Sequence, residues 1–197
     1  MSVPTLRTVP GPGIGPWLDA VARLRIAVFR DWPYLYAGDF DYEQAYLQAY
    51  ARSPDSVFVL AFDGEAVVGA ATGLPLADDT PEFRQPFLDA GRDPGEVFYF
   101  GESVLLPAYR GRGIGHRFFD EREAHARALG RFTVAGFCAV DRRHDDPRRP
   151  EGHRGNEAFW AGRGYVRQPG LTVHLAWQEI GETAATTKPL TFWLRDL

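Results

Sequence analysis

The stretch YRGRGIGHRFF, Tyr109 to Phe119, sets Gly111, Gly113 and Gly115 among Arg110, Arg112 and Arg117. A β-rich run, EVFYFGESVLL, precedes it, and a helical pattern follows. A strand that enters a glycine turn at a helix start is an anion site. The first amides of a helix lack intrahelical acceptors, and the helix dipole adds about half a positive charge there. Glycine accepts positive φ and lets an oxyanion approach the backbone with no Cβ between. The arginines add planar cationic forks. Two familiar phosphate signatures fail letter by letter. The dinucleotide pattern G-x-G-x-x-G needs glycine where His116 or Phe118 stands, and a Walker loop needs a lysine, whereas the one lysine is Lys188. The plainer alternative is a glycine turn that binds nothing.

Glu102 is the second candidate. A carboxylate inside an apolar strand is costly unless solvated, paired or used. Strict alternation puts Phe98, Phe100, Glu102 and Val104 on one face, which a bulge would shift. A salt bridge to an arginine is the competing role, and Tyr99 is the other polar group on this strand. The five histidines, at 116, 125, 144, 153 and 174, form no His-Glu-x-x-His pattern, so no metal site is expected. The single Cys138 excludes an internal disulfide and reads as a small core residue. The segment DRRHDDPRRPEGHRG, 141–155, alternates arginines with acids and reads as a solvated charged loop.

The elements that must position these residues follow from the rest of the chain. A length of 197 residues suits one domain, with 1–16 as an N-terminal strand and loop and 78–95 as an insertion. The net charge of −4 argues against nucleic acid. No run approaches the roughly 18 apolar residues of a membrane span, and the first residues do not read as a signal peptide, so a cytoplasmic protein is expected. Trp17–Trp32 reads as a helix with Leu18, Val21, Leu24 or Arg25, and Val28 at helical spacing, stopped by Pro33. A second helix starts on an Asp41 cap. SVFVLAF and EAVVGAATGLPL form a hairpin about Asp63-Gly64. A long strand through Leu106, a helix from Ile114 to Leu129 closed by Gly130, a strand to Val140, a short helix from Asn156 to Gly162 and two terminal strands complete a mixed α/β chain. Residues 78–95 carry one or two helical turns around Glu82–Ala90.

The segment VLLPAYRGRGIGHRFF resembles the acetyl-CoA motif of the GNAT acetyltransferases, whose core is Gln/Arg-x-x-Gly-x-Gly/Ala, here Arg110 to Gly115. NEAFWAGRGYV resembles the family's later helix, which usually ends in Gly-Phe and here in Gly164-Tyr165. The resemblance spans most of the chain. It implies a mostly antiparallel central sheet of about seven strands, split in a V and flanked by about four helices.

The resemblance also implies roles. Backbone amides of Arg110, Gly111, Arg112, Gly113, Ile114 and Gly115 would hold the pyrophosphate of acetyl-CoA. Val104, Leu105 and Leu106 would pair with pantetheine as an added strand. Asn156 would contact the coenzyme, and Phe159 would pack on its arm or belong to the core. Acetyl transfer to an amine requires a neutral nitrogen, so Glu102, with Tyr99 as the alternative, is the candidate base. The family's usual acid tyrosine is replaced by Trp160, which donates a hydrogen bond but carries no titratable proton. Tyr34, Tyr36 and Asp39 lie on the loop that walls the acceptor side in this family; aromatic faces with a carboxylate suit a cationic amine. Simple capping and packing is the plainer reading for each. The implied activity is acetyl transfer to a small-molecule primary amine, with no nucleic acid, membrane or metal involved. The alternatives are a coenzyme-binding sensor without turnover and a protein or peptide N-acetyltransferase. The exposed edge of the terminal strand LTFWLRDL is a candidate homodimer surface.

Overall fold

The structure is a computed structural model that describes residues 4–197; residues 1–3 of the expected N-terminal segment lie outside the described residues. Strand β1 (Thr5–Pro10) leads into helices α1 (Leu18–Phe29) and α2 (Phe40–Arg52). The hairpin β2 (Val57–Asp63) and β3 (Ala66–Pro75) follows, then α3 (Pro81–Asp89). Two short strands, β4 (Val97–Tyr99) and β5 (Ser103–Leu105), precede α4 (Ile114–Leu129) and β6 (Val134–Val140). Helix α5 (Glu157–Gly162), β7 (Val166–Trp177) and β8 (Thr186–Asp196) complete the chain. The sheet has eight strands in the order β1-β2-β3-β4-β6-β8-β7, with β5 beside β3. Every pairing is antiparallel except β4 with β6. The fold is the mixed, split sheet that the motifs imply, with one more strand and one more helix.

Two half-sheets meet at a narrow spine. β4 joins β3 through two residue pairs, Leu74–Tyr99 and Pro75–Phe98, and joins β6 through three, Val97–Val134 to Tyr99–Gly136. One face carries a core in which Val21 and Leu24 of α1, Leu47 and Tyr50 of α2, and Phe83 and Phe87 of α3 pack on the strands. The opposite face packs Phe119 and Ala126 of α4 against Phe98, Phe100 and Phe137. β2 is buried on both faces, which explains its unbroken apolar run, VFVLAF.

Several expectations need correction. The long strand through Leu106 is two strands, because the chain bulges at Gly101-Glu102. A Cβ at Gly101 would lie 2.3 Å from the Tyr50 hydroxyl, on the α2 side, while Glu102 also turns to that side and meets Arg25 on α1. Two successive residues on one side break alternation. Phe98 and Phe100 therefore face α4, whereas Glu102 and Val104 face α1 and α2 together with Tyr99. The cap of α2 is Asp39, which accepts from the Tyr42 amide at 3.0 Å, so Asp41 falls inside the helix. The segment 78–95 is anchored by nine residues of helix, with Phe83 against Tyr99 and Phe87 against Phe192. β7 begins at Val166, ahead of a register shift between Arg167 and Thr172. β8 lies between β6 and β7, so the terminal strand has no open edge to offer a second copy.

The bulge is held from α4 by Arg122, which is 1% exposed. Its guanidinium donates to the carbonyls of Thr72 at 3.1 Å and Glu102 at 3.0 Å, to Ser103 Oγ at 2.7 Å, and to Phe118 O at 3.0 Å. It stacks 4.2 Å from the Phe100 ring centroid. Burial pulls its pKa down to about 10, so it stays cationic at neutral pH. Arg122→Ala is expected to cost about 2–4 kcal/mol, from lost charge-assisted bonds and the cavity left behind. Urea unfolding at pH 7 measures this; a change below about 0.5 kcal/mol would show that the clamp is incidental.

Candidate functional site

Where β5 leaves β4, the sheet opens into a cavity of about 630 Å³. β5 pairs with β3 and with no other strand, so its second edge faces this gap. Val104 is fully buried, and Leu105 and Leu106 are half-buried. The Leu106 amide is committed to Val68 O at 3.0 Å, and the Leu105 carbonyl accepts from Arg110 Nε at 3.2 Å.

The glycine turn stands at one end of the gap. Gly111 and Gly113 have φ of 75° and 77°, which side chains rarely adopt, and a Cβ at either would meet open space. The constraint there is backbone conformation rather than crowding. Gly113 is the N-cap of α4, and no side chain caps that terminus. The amides of Ile114, Gly115 and His116 therefore point outward with no intrahelical acceptor. Arg112 folds back onto Ala108 O at 2.9 Å, while Arg110, Gly115 and Phe118 line the cavity. Across the gap, Asn156 is the N-cap of α5 and makes no side-chain cap bond. Phe159 approaches Gly115, lies 4.8 Å from the His116 ring and lines the cavity, so it is both packed and accessible. Trp160 lines it too, against Phe137 and Trp193.

Glu102 sits where β4 and β5 part, and it lines the cavity. Its side chain is 1% exposed, and Oε2 takes an ion pair from Arg25 Nη1 at 2.6 Å. Tyr46 Oη donates to the same oxygen at 3.4 Å, whereas Oε1 has no hydrogen-bond partner among the described residues. Arg25 also pairs with Glu43, so one buried cation serves two carboxylates. Burial pushes the Glu102 carboxyl above the ordinary range, the Arg25 charge pulls it down, and Glu43 pushes it up again. A buried acid with one uncommitted oxygen at a cavity wall is equipped to accept a proton.

Tyr99 is placed differently from Glu102. It is 2% exposed, stacked on Phe83 and Phe192, with its hydroxyl 3.1 Å from Cys138 Sγ. Cys138 stands between it and the gap, and burial pushes that thiol up to about 12. Tyr99 thus supports the wall rather than facing the cavity. Among the acceptor candidates only Tyr34 lines the cavity, with its ring on Phe29 and Trp177. Tyr36 is buried and accepts from the Asp39 amide at 3.1 Å, while Asp39 caps α2, so the two form a loop turn and not an amine cage. Arg142 ties the 141–156 loop over this end, donating to Pro33 O at 2.6 Å and Tyr34 O at 3.2 Å and pairing with Glu179. Sequence reasoning missed Arg25, Glu43, Tyr46 and Arg122. The one signal was Arg25 sharing the apolar stripe of α1 with Leu24. Among the described residues, no group of three or more His, Cys, Asp or Glu could hold a metal ion, and no helix is long and apolar enough to cross a membrane.

A mixed sheet that splits beside a glycine turn, with a buried acid at the split, is the architecture of an acyltransferase. The family described as Acetyltransferase (GNAT) matches residues 23–149, and the chain belongs to it. The match takes in Glu102 and the glycine turn and ends before Asn156. No curated protein matches the sequence significantly. Among solved structures, ribosomal-protein-alanine N-acetyltransferase from Brucella melitensis is similar over 98% of this chain and 99% of its own, with TM-score 0.63 and 16% identity. The yncA protein of Salmonella typhimurium, solved with its cofactor acetyl-CoA, covers 100% of this chain and 95% of its own, with TM-score 0.59 and 16% identity. An aminoglycoside 6'-N-acetyltransferase complexed with coenzyme A covers 98% and 96%, with TM-score 0.61 and 13% identity.

Arg25→Met strands Glu43 and Glu102 without their cation. A loss of about 3–5 kcal/mol at pH 7 is expected in chemical denaturation, with partial recovery when Glu43→Gln is added. Near-native stability of the single variant would refute the shared-cation reading.

Proposed function

We propose that the protein transfers an acetyl group from acetyl-CoA directly to the primary amine of a small molecule. The observation that carries this reading is one continuous cavity lined by Glu102, the open edge of β5 and the start of α4, whose N-terminus no side chain caps. The residues present fit the coenzyme. The outward amides of Ile114 to His116 and the glycines at 111 and 113 suit a diphosphate. The β5 edge with Val104, Leu105 and Leu106 suits an amide-bearing arm, and Phe159 and Asn156 flank it. Acetyl-CoA supplies an activated thioester.

The chain's own groups account for the rest. An alkylammonium has a pKa near 10.4, so the nucleophile must lose a proton, and Glu102 takes it directly or through water. Arg25 and Tyr46 hold the carboxylate through one oxygen, and the second has no hydrogen-bond partner among the described residues. Burial keeps the Cys138 thiol protonated, which supports direct attack over an acyl-cysteine route. Trp160 cannot donate a proton to the leaving group, but a thiol with pKa about 8.5 departs tolerably as thiolate. That same Trp160 favours a second reading, coenzyme binding without turnover, which thiol release with an amine panel separates from the first.

Calorimetry should give saturable acetyl-CoA binding. Gly113→Asp forces a side chain into φ near 77° and adds a negative charge, so affinity should fall about tenfold or more. No binding at millimolar acetyl-CoA would overturn the proposal. A base must be ionised, and the Glu102 pKa is raised, so kcat/KM should fall as pH drops through a midpoint above the ordinary carboxylate value of about 4.3. Glu102→Gln should remove that limb and lower kcat by about 10²–10⁴. An unchanged profile in the variant would exclude Glu102 as the base.

A further inference from the structure

The acceptor end of the cavity carries charge of an unexpected sign. The chain as a whole is net −4. The cavity wall contributed by residues 141–167 nevertheless holds Arg142, Arg143, Arg149, Arg154 and Arg167 against Asp141 and Glu157. Several of these guanidinium groups are already engaged. Arg142 serves Glu179 and two carbonyls, Arg143 pairs with Asp145 at 2.8 Å, and Arg167 pairs with Asp141 at 2.7 Å. Arg149 and Arg154 have no carboxylate. Arg149 contacts His144 Nδ1 at 2.8 Å and the His153 carbonyl at 3.2 Å, and Arg154 makes no hydrogen bond or ion pair among the described residues.

The surroundings of Arg149 bear on the acceptor rather than on the turn at α4, and Arg154 lines the same cavity. Arg149 holds His153, whose ring lies edge-on to Trp32 at 6.2 Å. Trp32, Phe29 and Tyr34 form an aromatic wall of the same cavity. Of the three carboxylates that line the cavity, Glu102 is matched by Arg25 and Asp141 by Arg167, while Glu157 lies over Gly155 at the start of α5. A polycationic acceptor would meet an excess of like charge at the mouth.

We infer that the acceptor is an amine that also carries an anionic group, a carboxylate or a phosphate, bound by Arg149 and Arg154 while its amine faces Glu102. This rests on the acetyl-transfer reading above. The aromatic wall adds a preference for an apolar or aromatic body between the two ends. A guanidinium pairs with a carboxylate or phosphate through two parallel N–H donors. In a protein of net negative charge, a local cationic mouth also concentrates such substrates.

Thiol release from acetyl-CoA is measured for matched amines: tyrosine against tyramine, phenylalanine against phenethylamine, and phosphoethanolamine against ethanolamine. The anionic member of at least one pair should be preferred by about tenfold or more in kcat/KM. The first two pairs report a carboxylate, the third a phosphate. Arg154→Ala removes no internal contact, so it should fold normally. It and Arg149→Ala should each raise KM for the preferred acid by about fivefold or more, with the acetyl-CoA Kd within about twofold by calorimetry. Equal or better turnover of the neutral-bodied amines overturns the inference and leaves acetyl transfer standing. Loss confined to acetyl-CoA affinity assigns the arginines to the coenzyme and also overturns it. Bound acetyl-CoA with no thiol release from any pair overturns both readings.

Discussion

A buried guanidinium bridging β3 and the bulge between β4 and β5 is the constraint on which this structure depends. Arg122 reaches from α4 into the sheet and bonds the carbonyls of Thr72 on β3 and Glu102 at the bulge. Past the bulge β5 continues along β3 with its register shifted by one residue, and among the described residues its outer edge is left without a strand. At the bulge the Glu102 side chain turns towards Arg25, so the open edge and the acid lie side by side at one irregularity of the strand. A buried cation is expensive to desolvate, and here four hydrogen-bond acceptors and two aromatic faces offset that expense.

The interior divides its charges between two arginines with different tasks. Arg122 carries no ion pair among the described residues and acts mainly on the backbone. Arg25 carries two carboxylates and acts on side chains. Between them lies the bulge, so the acid is pinned through both its main chain and one of its oxygens while the other oxygen stays uncommitted. Rigid support from separate helices is what a proton acceptor needs to hold one geometry. The hydroxyls of Tyr46 and Tyr50 bond each other at 2.9 Å and extend this polar layer into the α2 face.

The glycine turn and the helix that follows were legible because spacing alone expresses them: positive φ at Gly111 and Gly113 demands glycine, and Ile114 to Leu129 is bounded as read. The hairpin at Asp63-Gly64 was legible for the same reason. The bulge was not, because a one-residue phase slip leaves alternation intact on either side, and the closeness of Tyr50 that excludes a Cβ at Gly101 comes from α2, far away in sequence. The partners of Glu102 were hidden because they arrive from α1 and α2, far away in sequence. Arg25 at a core-facing helical position was the visible trace, since a charge on an apolar stripe must find a counter-charge inside. Asp39 and Tyr36 illustrate the opposite error: residues fit for an amine cage were consumed by local loop bonds, a competition that composition cannot decide. The terminal strand looked like an edge from its place in the chain, yet β7 folds back outside it.

The five residue pairs that link β4 to its two neighbours make the sheet resemble two leaves on a short spine. Away from that spine the leaves are tied through α4, where Glu123 accepts from Arg163, Tyr165 and Arg195 of the C-terminal leaf. A molecule lying along β5 and touching α5 would cross the open seam as a further tie. Its occupancy would resist separation of the leaves, so heat resistance and ligand concentration would rise together, and the open seam would be where thermal unfolding starts when the cleft is bare.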